Sequence, residues 1–399
     1  MSDESRPHTP RGLNQQGPAL WSYGFRPFFL GGAVWAVLTM ALWIAALILG
    51  LPLGGDYGAP LWHAHEMVFG FAPAVLAGFL LTAIPNWTGS LPVAGRALMG
   101  LFGLWAVGRL AMAGAALTGI WPAALLDAAF LPALLAIAAR EIIAGRKWND
   151  LKVLAGVTAI MAGNLGFHAT VLFGGDPSLW LRAAVAGFVA LVLIIGGRII
   201  PSFTRNWLSQ RGKSRLPVAY NRFDLGVIGL SAAALACWVV APDARMTASA
   251  ALVAGGLNLA RLSRWQGLAT RGEGLLLVLH LAYGFVPLGF LAIAAAGVGL
   301  VQPVSALHVL TVGVIGAMML AVMGRATRGH TGRALTASGL TILSYACLFA
   351  AALARPLADL LGTVWLIEAA GALWILAFGL FVLEHGPMLV LERRRPRGD

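Results

Sequence analysis

The start of the second hydrophobic segment carries four side chains able to ligate a metal or hold a proton: His63, His65, Glu66 and Met67. An ionisable group at the centre of a bilayer costs about 3 kcal/mol or more, so such residues mark a functional site by default. Neutral imidazole is a common ligand of haem iron, copper and zinc, and two histidines on facing helices can bind one haem. This stretch therefore predicts metal or haem ligation, with Glu66 as an acid beside the site.

Three more histidines lie in other hydrophobic segments. A helix rises about 1.5 Å per residue, which places His308 roughly 8 Å inside the outer end of the tenth segment. His168 lies one turn from the outer end of the fifth segment, and His280 lies nearer the cytoplasmic face in the ninth. Four histidines thus share one depth: His63, His65, His168 and His308. They predict a metal or haem site at this depth, and His280 is a candidate for a separate axial ligand.

Other readings of these histidines stay open. His63 and His65 are two residues apart, so a regular helix directs them about 200° apart; they serve two sites, or one ligates while the other hydrogen-bonds. The alternatives to a metal site are a proton relay and plain helix packing, in which an interhelical hydrogen bond contributes about 0.6 kcal/mol. Position alone gives no role to His330 in a basic connector, to His385 after the last segment or to His8 in the N-terminal tail.

Two opposite charges, Arg109 and Asp127, lie inside the third and fourth segments. They are equally distant from the turn between these segments, so we predict that they face each other. Buried ionic groups in a membrane pair with one another, and a structural ion pair is favoured over a catalytic role. Asn164 lies four residues before His168 and shares its helix face.

Composition identifies the medium in which these residues act. The chain has 399 residues, 59% of them hydrophobic and 11% charged, whereas a soluble domain has about 25% charged residues. The hydrophobic segments have the length of membrane helices and lack the alternating pattern of barrel strands. The predicted fold class is therefore an all-α polytopic membrane protein. We predict a cytoplasmic tail at 1–27, a single transmembrane domain at 28–384 and a basic cytoplasmic tail at 385–399.

About twelve transmembrane helices are predicted. They span 28–50, 61–84, 96–117, 121–144, 153–173, 178–201, 223–241, 246–262, 273–298, 303–324, 335–354 and 360–383. Nearly all lysines and arginines then fall on one side of the membrane, and the other side keeps only Arg182, Arg245 and Arg355. Basic connectors stay in the cytoplasm, so both termini are predicted to be cytoplasmic. This bias explains the net charge of +12, which does not indicate nucleic acid binding.

Short matches between the second, sixth and tenth segments indicate an internal repeat. Aligning His65 with His308 also aligns the glycines five residues further on. The sixth segment ends in Ile-Pro-Ser-Phe-Thr at 200–204, which is similar to Ile-Pro-Asn-Trp-Thr at 84–88 in the second. These segments are four apart, so we predict three pseudo-symmetric four-helix units. Chance similarity among glycine-rich helices is the alternative.

Together these motifs resemble the NnrS family of bacterial membrane proteins, which is associated with the response to nitric oxide. The resemblance spans nearly the whole chain, and the block in the second segment is specific. The matching stretches are GFRPFF at 24–29, WHAHEM at 62–67, AGFLLTAIPNWTG at 77–89, Gly163 and Asn164 with His168, GRIIPSFTRN at 197–206, HLAYG at 280–284, and His308 through RATRGHTGR at 325–333.

The resemblance implies a haem- and copper-containing protein of the bacterial inner (cytoplasmic) membrane that handles nitric oxide and protects against nitrosative stress. The family pattern includes His330, which implies an inner-side cofactor ligand together with His280. The implied partners are nitric oxide, the lipid bilayer and an electron donor of unknown identity. Whether nitric oxide is turned over by an oxidoreductase activity or only bound is left open.

Two other functions fit the same residues. The histidines would serve equally in a transporter of copper, protons or a small anion, although only 70–73 resembles the helix break expected at a transport site. A haem-based sensor or scaffold is the second alternative, and it predicts saturated iron that does not react with nitric oxide. The helix count is similar to that of haem–copper oxidases and nitric oxide reductases, but the chain lacks a His-His pair and a His-x3-His-Tyr run. Arg198, Arg205 and Arg325, at cytoplasmic helix ends, are candidate partners of haem propionates.

Overall fold

Twelve long helices account for most of residues 17–393, which the computed structural model of the protein describes, and no β-strand occurs in this range. We number them α1 to α12 in chain order. Their bounds are Phe25–Leu49, Gly55–Thr88, Gly95–Ala113, Ile120–Ala144, Leu151–Leu172, Ser178–Ser209, Arg222–Val240, Arg245–Ser263, Gly274–Gly297, Pro303–His330, Gly339–Leu361 and Val364–Val390. The prediction of an all-α polytopic membrane protein is confirmed.

Within residues 17–393, eleven of these twelve helices are long and apolar enough to cross a membrane, and α8 is the one that is not. Its apolar character is interrupted by Asn258 and Arg261. The Arg26 guanidinium at the start of α1 donates hydrogen bonds to the carbonyls of Leu389 (2.8 Å) and Leu391 (2.7 Å) at the end of α12. The start of α1 and the end of α12 therefore lie on the same side of the membrane. A chain that begins and ends on one side crosses an even number of times, which favours twelve crossings, including α8.

Helices α6, α10, α11 and α12 end clearly later than the sequence predicted, and α11 continues to Leu361. Helix α12 continues to Val390, so His385 lies inside it and is buried, not in a tail. Helix α10 continues to His330, which is its last residue instead of part of a loop. Helix α6 continues to Ser209 and includes the arginines expected at its end. Hydropathy located these ends too early because polar residues continue the helices beyond their apolar part.

The helices form a closed ring around three central ones. Helices α2, α6 and α10 each contact the other two, and α2 is the most buried of the spans. The chain passes from one group of four helices to the next where α4 packs on α5 and α8 packs on α9, and α12 closes the ring against α1. Gly-rich faces allow such close packing between helices in lipid.

Each central helix contains a π-helical segment. These segments are Glu66–Phe71 in α2, Val192–Gly196 in α6 and Val309–Gly316 in α10. In α2 the segment directly follows His65 and in α10 it directly follows His308, the two residues that the internal repeat aligned. A π-helical turn carries an extra residue and is frequent at functional sites. Its recurrence every four helices supports three related four-helix units.

Gly70 lies in the π-helical segment of α2 at a point of close approach. A Cβ at this position would lie 2.8 Å from the Glu66 carboxylate and 3.0 Å from the Trp35 indole nitrogen, and it would also overlap Arg109. Only glycine therefore lets these polar side chains approach the backbone of α2.

We expect Gly70→Ala to lower the free energy of unfolding by about 1–3 kcal/mol, because the added methyl group overpacks a buried polar contact. Gly100→Ala in α3 is the matched control, since a Cβ there meets nothing within 4 Å. Thermal unfolding of both variants in detergent measures the difference. An unchanged melting temperature for Gly70→Ala would contradict the close contact.

Crossing by α8 is tested with topology reporters fused after Asp243, before α8, and after Gln266, behind it. We expect the two fusion points to lie on opposite sides of the membrane, with Gln266 on the cytoplasmic side together with both termini. Reporter signals from the same side would mean that α8 does not cross.

Candidate functional site

Three ligand atoms meet in a fully enclosed site between α2, α4 and α5, which we call the closed cluster: His65, Asp127 and His168. The Nε2 atom of His65 lies 3.2 Å from Nε2 of His168 and 3.2 Å from Oδ2 of Asp127. Nε2 of His168 lies 2.8 Å from the same carboxylate oxygen. Ligand atoms around a tetrahedral ion with bonds of about 2.0–2.1 Å are separated by about 3.3 Å. The closed cluster can therefore hold a metal ion.

The second ring nitrogen of each histidine in the closed cluster is also held. Nδ1 of His65 lies 2.8 Å from Oε1 of Glu66, and its Nε2 faces the other ligands and lies 3.1 Å from Oδ1 of Asn164. Nδ1 of His168 lies 2.8 Å from the hydroxyl of Tyr57. Histidine ligands of metals are usually oriented in this way by a carboxylate or another polar group on the opposite nitrogen. Tyr57 and Glu66 thus orient the two imidazoles.

One buried guanidinium connects the two carboxylates of this region. Arg109 donates a hydrogen bond of 2.6 Å to Oε2 of Glu66 and forms an ion pair with Asp127, which confirms the predicted pairing of α3 with α4. Trp35 donates to the same Glu66 oxygen at 2.8 Å, and Asn164 donates to Asp127 at 2.9 Å. Two carboxylates and one guanidinium leave one net negative charge. A buried charge needs a counter-charge, which a metal cation held by the closed cluster could supply.

A second feature, which we call the histidine chamber, lies between α1, α2, α6, α10, α11 and α12 near the first residues of α2 and α10. It is a cavity of about 300 Å³ with a mainly apolar lining. His63 of α2 and His308 of α10 face it. The His63 ring stacks on Trp43 with centroids 4.6 Å apart, and its Nδ1 has no hydrogen-bond partner among the described residues. Nδ1 of His308 bonds to the Val304 carbonyl at 2.8 Å, which leaves Nε2 free. The chamber has the size of a small-molecule site.

The four histidines predicted at one depth are therefore divided between two places. His65 and His168 belong to the closed cluster, whereas His63 and His308 line the histidine chamber. The separation of His63 from His65 follows from their spacing of two residues, which directs them to different faces of α2.

The inner-side histidines do not come together. Nε2 of His280 bonds to the hydroxyl of Thr204 at 2.8 Å. His330 packs on the rings of Tyr23 and Phe25, with centroids 5.8 and 5.4 Å away. Burial raises the pKa of Tyr23, which stays neutral. His280 and His330 share no contact in the described part of the chain, and their role as an inner-side pair of cofactor ligands stays a prediction.

The arginines predicted at cytoplasmic helix ends, Arg198, Arg205 and Arg325, are not among the residues that line the histidine chamber. Arg198 pairs with Asp150, Arg205 donates to the Pro217 carbonyl, and Arg325 lies over the Phe203 ring. The charged residue on the chamber wall is instead Arg355 of α11.

Sequence reasoning missed three residues of these sites. Asp127 was interpreted as half of a structural ion pair, although an acidic residue in a hydrophobic segment was a signal for a ligand. Arg355 was noted only for its side of the membrane. Tyr57 precedes the hydrophobic segment and carried no signal at all.

The fold and these two features define a class: a polytopic α-helical membrane protein with a buried His/Asp cluster able to hold a metal. The chain belongs to the NnrS family, because the family model described as NnrS protein matches residues 19–393. A comparison with curated proteins gave no match. The resemblance inferred from the motifs is thereby confirmed.

We expect Asp127→Asn to lower the metal affinity of the closed cluster by more than about 100-fold, since loss of an outer partner of a ligand alone costs about 10–100-fold. Asp150→Asn is the control, because Asp150 is also buried and paired with an arginine but lies outside the cluster. Elemental analysis of the purified variants and chelator competition measure the effect. Full metal content in Asp127→Asn, with normal folding, would exclude this carboxylate as a ligand.

Proposed function

We propose that this protein is a haem- and copper-binding protein of the bacterial inner membrane that handles nitric oxide. One observation carries the proposal: α2 presents His63 to a cavity and His65 to a separate metal-ligand cluster, so one helix serves two sites. Membership of the NnrS family supports haem, copper and nitric oxide as the chemistry.

The histidine chamber is the proposed haem site. His63 and His308 stand on different helices, each with a ring nitrogen that has no hydrogen-bond partner among the described residues, and they would hold the haem. Trp43, Phe71 and Trp374 supply an apolar wall. When bound, haem would supply an iron centre that binds nitric oxide, with one of the two histidines as its ligand.

Arg355 is the proposed partner of the haem propionates. It lines the chamber and is oriented by Asp359, whose carboxylate accepts a hydrogen bond of 2.8 Å from it. Ser305 of α10 donates to the same aspartate at 2.6 Å, so the arginine is held at the end of the bundle where α10 begins. Guanidinium groups recognise carboxylates through charge-assisted hydrogen bonds.

The closed cluster is the proposed copper site. Two imidazole nitrogens and a carboxylate oxygen suit divalent copper, iron and zinc, and copper binds most tightly to such nitrogen and oxygen donors. His65, Asp127 and His168 would hold the ion. Tyr57 and Glu66 would keep the imidazoles in place.

Glu66 is proposed to position His65. It accepts hydrogen bonds from Trp35, Arg109 and His65, and no solvent reaches it. Three donors stabilise the carboxylate form, so its contacts do not support the role of proton donor expected from the sequence.

Nitric oxide is uncharged and soluble in lipid, so its entry into the mainly apolar chamber requires no charged path. Turnover would additionally require an electron donor, which is the second proposed partner. A haem-based sensor or scaffold is the alternative, in which both His63 and His308 would hold the iron and nitric oxide would not bind.

Substitution of one histidine from each place should separate the two proposed cofactors. We expect His308→Ala to lose haem and keep copper, and His65→Ala to lose copper and keep haem. His385→Ala is the control and should keep both, since the sequence gives no cofactor role to His385, whose ring stacks on Phe381. Optical spectra and elemental analysis measure both contents. Loss of the same cofactor from both variants would show that the sites are not separate.

The reaction with nitric oxide is tested on the purified wild-type protein in its oxidised and dithionite-reduced forms. A Soret band that shifts when nitric oxide is added supports the proposed function. A haem spectrum that does not respond favours the sensor or scaffold, and a colourless protein without metal favours the transporter.

A further inference from the structure

A second cavity lies along the inner halves of the three central helices. It has a volume of about 70 Å³. Val75 and Phe79 of α2, Ile195 of α6 and Met318 and Val322 of α10 are among its lining residues. No charged or hydrogen-bonding side chain belongs to the lining. We call it the apolar cavity.

The apolar cavity adjoins the histidine chamber. Phe188 of α6 and Ile315 of α10 line both spaces, so these two side chains form the partition between them. Both side chains are buried and belong to the same hydrophobic core. A molecule in the apolar cavity would therefore be separated from the chamber only by two apolar side chains that can change rotamer.

The lining and the volume restrict what can occupy the apolar cavity. Water needs two to four polar partners, which this lining does not provide. A dry cavity of about 150 Å³ lined by similar residues holds benzene or xenon, whereas one water occupies about 30 Å³ of liquid. A space of about 70 Å³ with this lining thus suits a diatomic gas or a xenon atom.

We infer that the apolar cavity is a binding site for a small uncharged apolar molecule, with Phe188 and Ile315 as its connection to the histidine chamber. Identification of this molecule as nitric oxide rests on the proposed function; the site itself rests only on its shape and lining. The site raises the concentration of the gas beside the histidine chamber, and a molecule that leaves the chamber can bind in the apolar cavity and then rebind in the chamber.

Xenon is the probe for this site. Crystals of the wild-type protein under xenon pressure should show a xenon atom between Val75, Ile195 and Met318. Ile195→Phe should fill the space and abolish the xenon peak. Val322→Leu is the milder variant, to be used if Ile195→Phe does not fold, and it should lower the xenon occupancy. Ile375→Phe is the control, because Ile375 is half-buried in α12 and lines neither cavity.

The outcomes separate this inference from the proposed function. Absence of xenon from the wild-type cavity, or electron density for a lipid chain in it, overturns the gas site even if haem in the chamber binds nitric oxide. Xenon at this place in a protein that binds neither haem nor nitric oxide supports the site and overturns the proposed function. Equal xenon occupancy in Ile195→Phe and the wild type also overturns the assignment.

Discussion

The architecture around the candidate sites depends on a single buried guanidinium, Arg109, placed between the carboxylates of Glu66 and Asp127. A charge buried in a membrane bundle is tolerated only with close partners, so this contact ties α3 to both α2 and α4. It also holds the Asp127 carboxylate beside His65 and His168 and the Glu66 carboxylate beside Nδ1 of His65. The remaining negative charge makes the closed cluster suitable for a cation.

The π-helical segment of α2 lets the helix serve two environments. Gly70 within it provides the space in which Arg109, Glu66 and Trp35 meet. His63 and His65 lie directly before this segment, two residues apart, so His63 faces the histidine chamber and His65 belongs to the closed cluster. The two sites are therefore separated by less than one turn of a deeply buried helix.

The sequence predicted the parts of this arrangement that depend on hydrophobicity and distance along the chain. The spans, the Arg109–Asp127 contact and the common depth of four histidines follow from segment length and rise per residue. Rotational position was not predictable, because a π-helical segment changes the face on which later residues lie. Asp127 was interpreted only as the ion-pair partner of Arg109, because its distance from His65 and His168 cannot be read along the chain. The helical position of His385 was missed where polar residues continue an apolar helix.

The central claim is that one helix separates an iron site from a copper site. Anomalous diffraction at the iron and copper absorption edges, from crystals of the purified protein, tests it most directly. The account predicts an iron peak between His63 and His308 and a copper peak among His65, Asp127 and His168. Both peaks in one cavity, or neither metal at these residues, would contradict it.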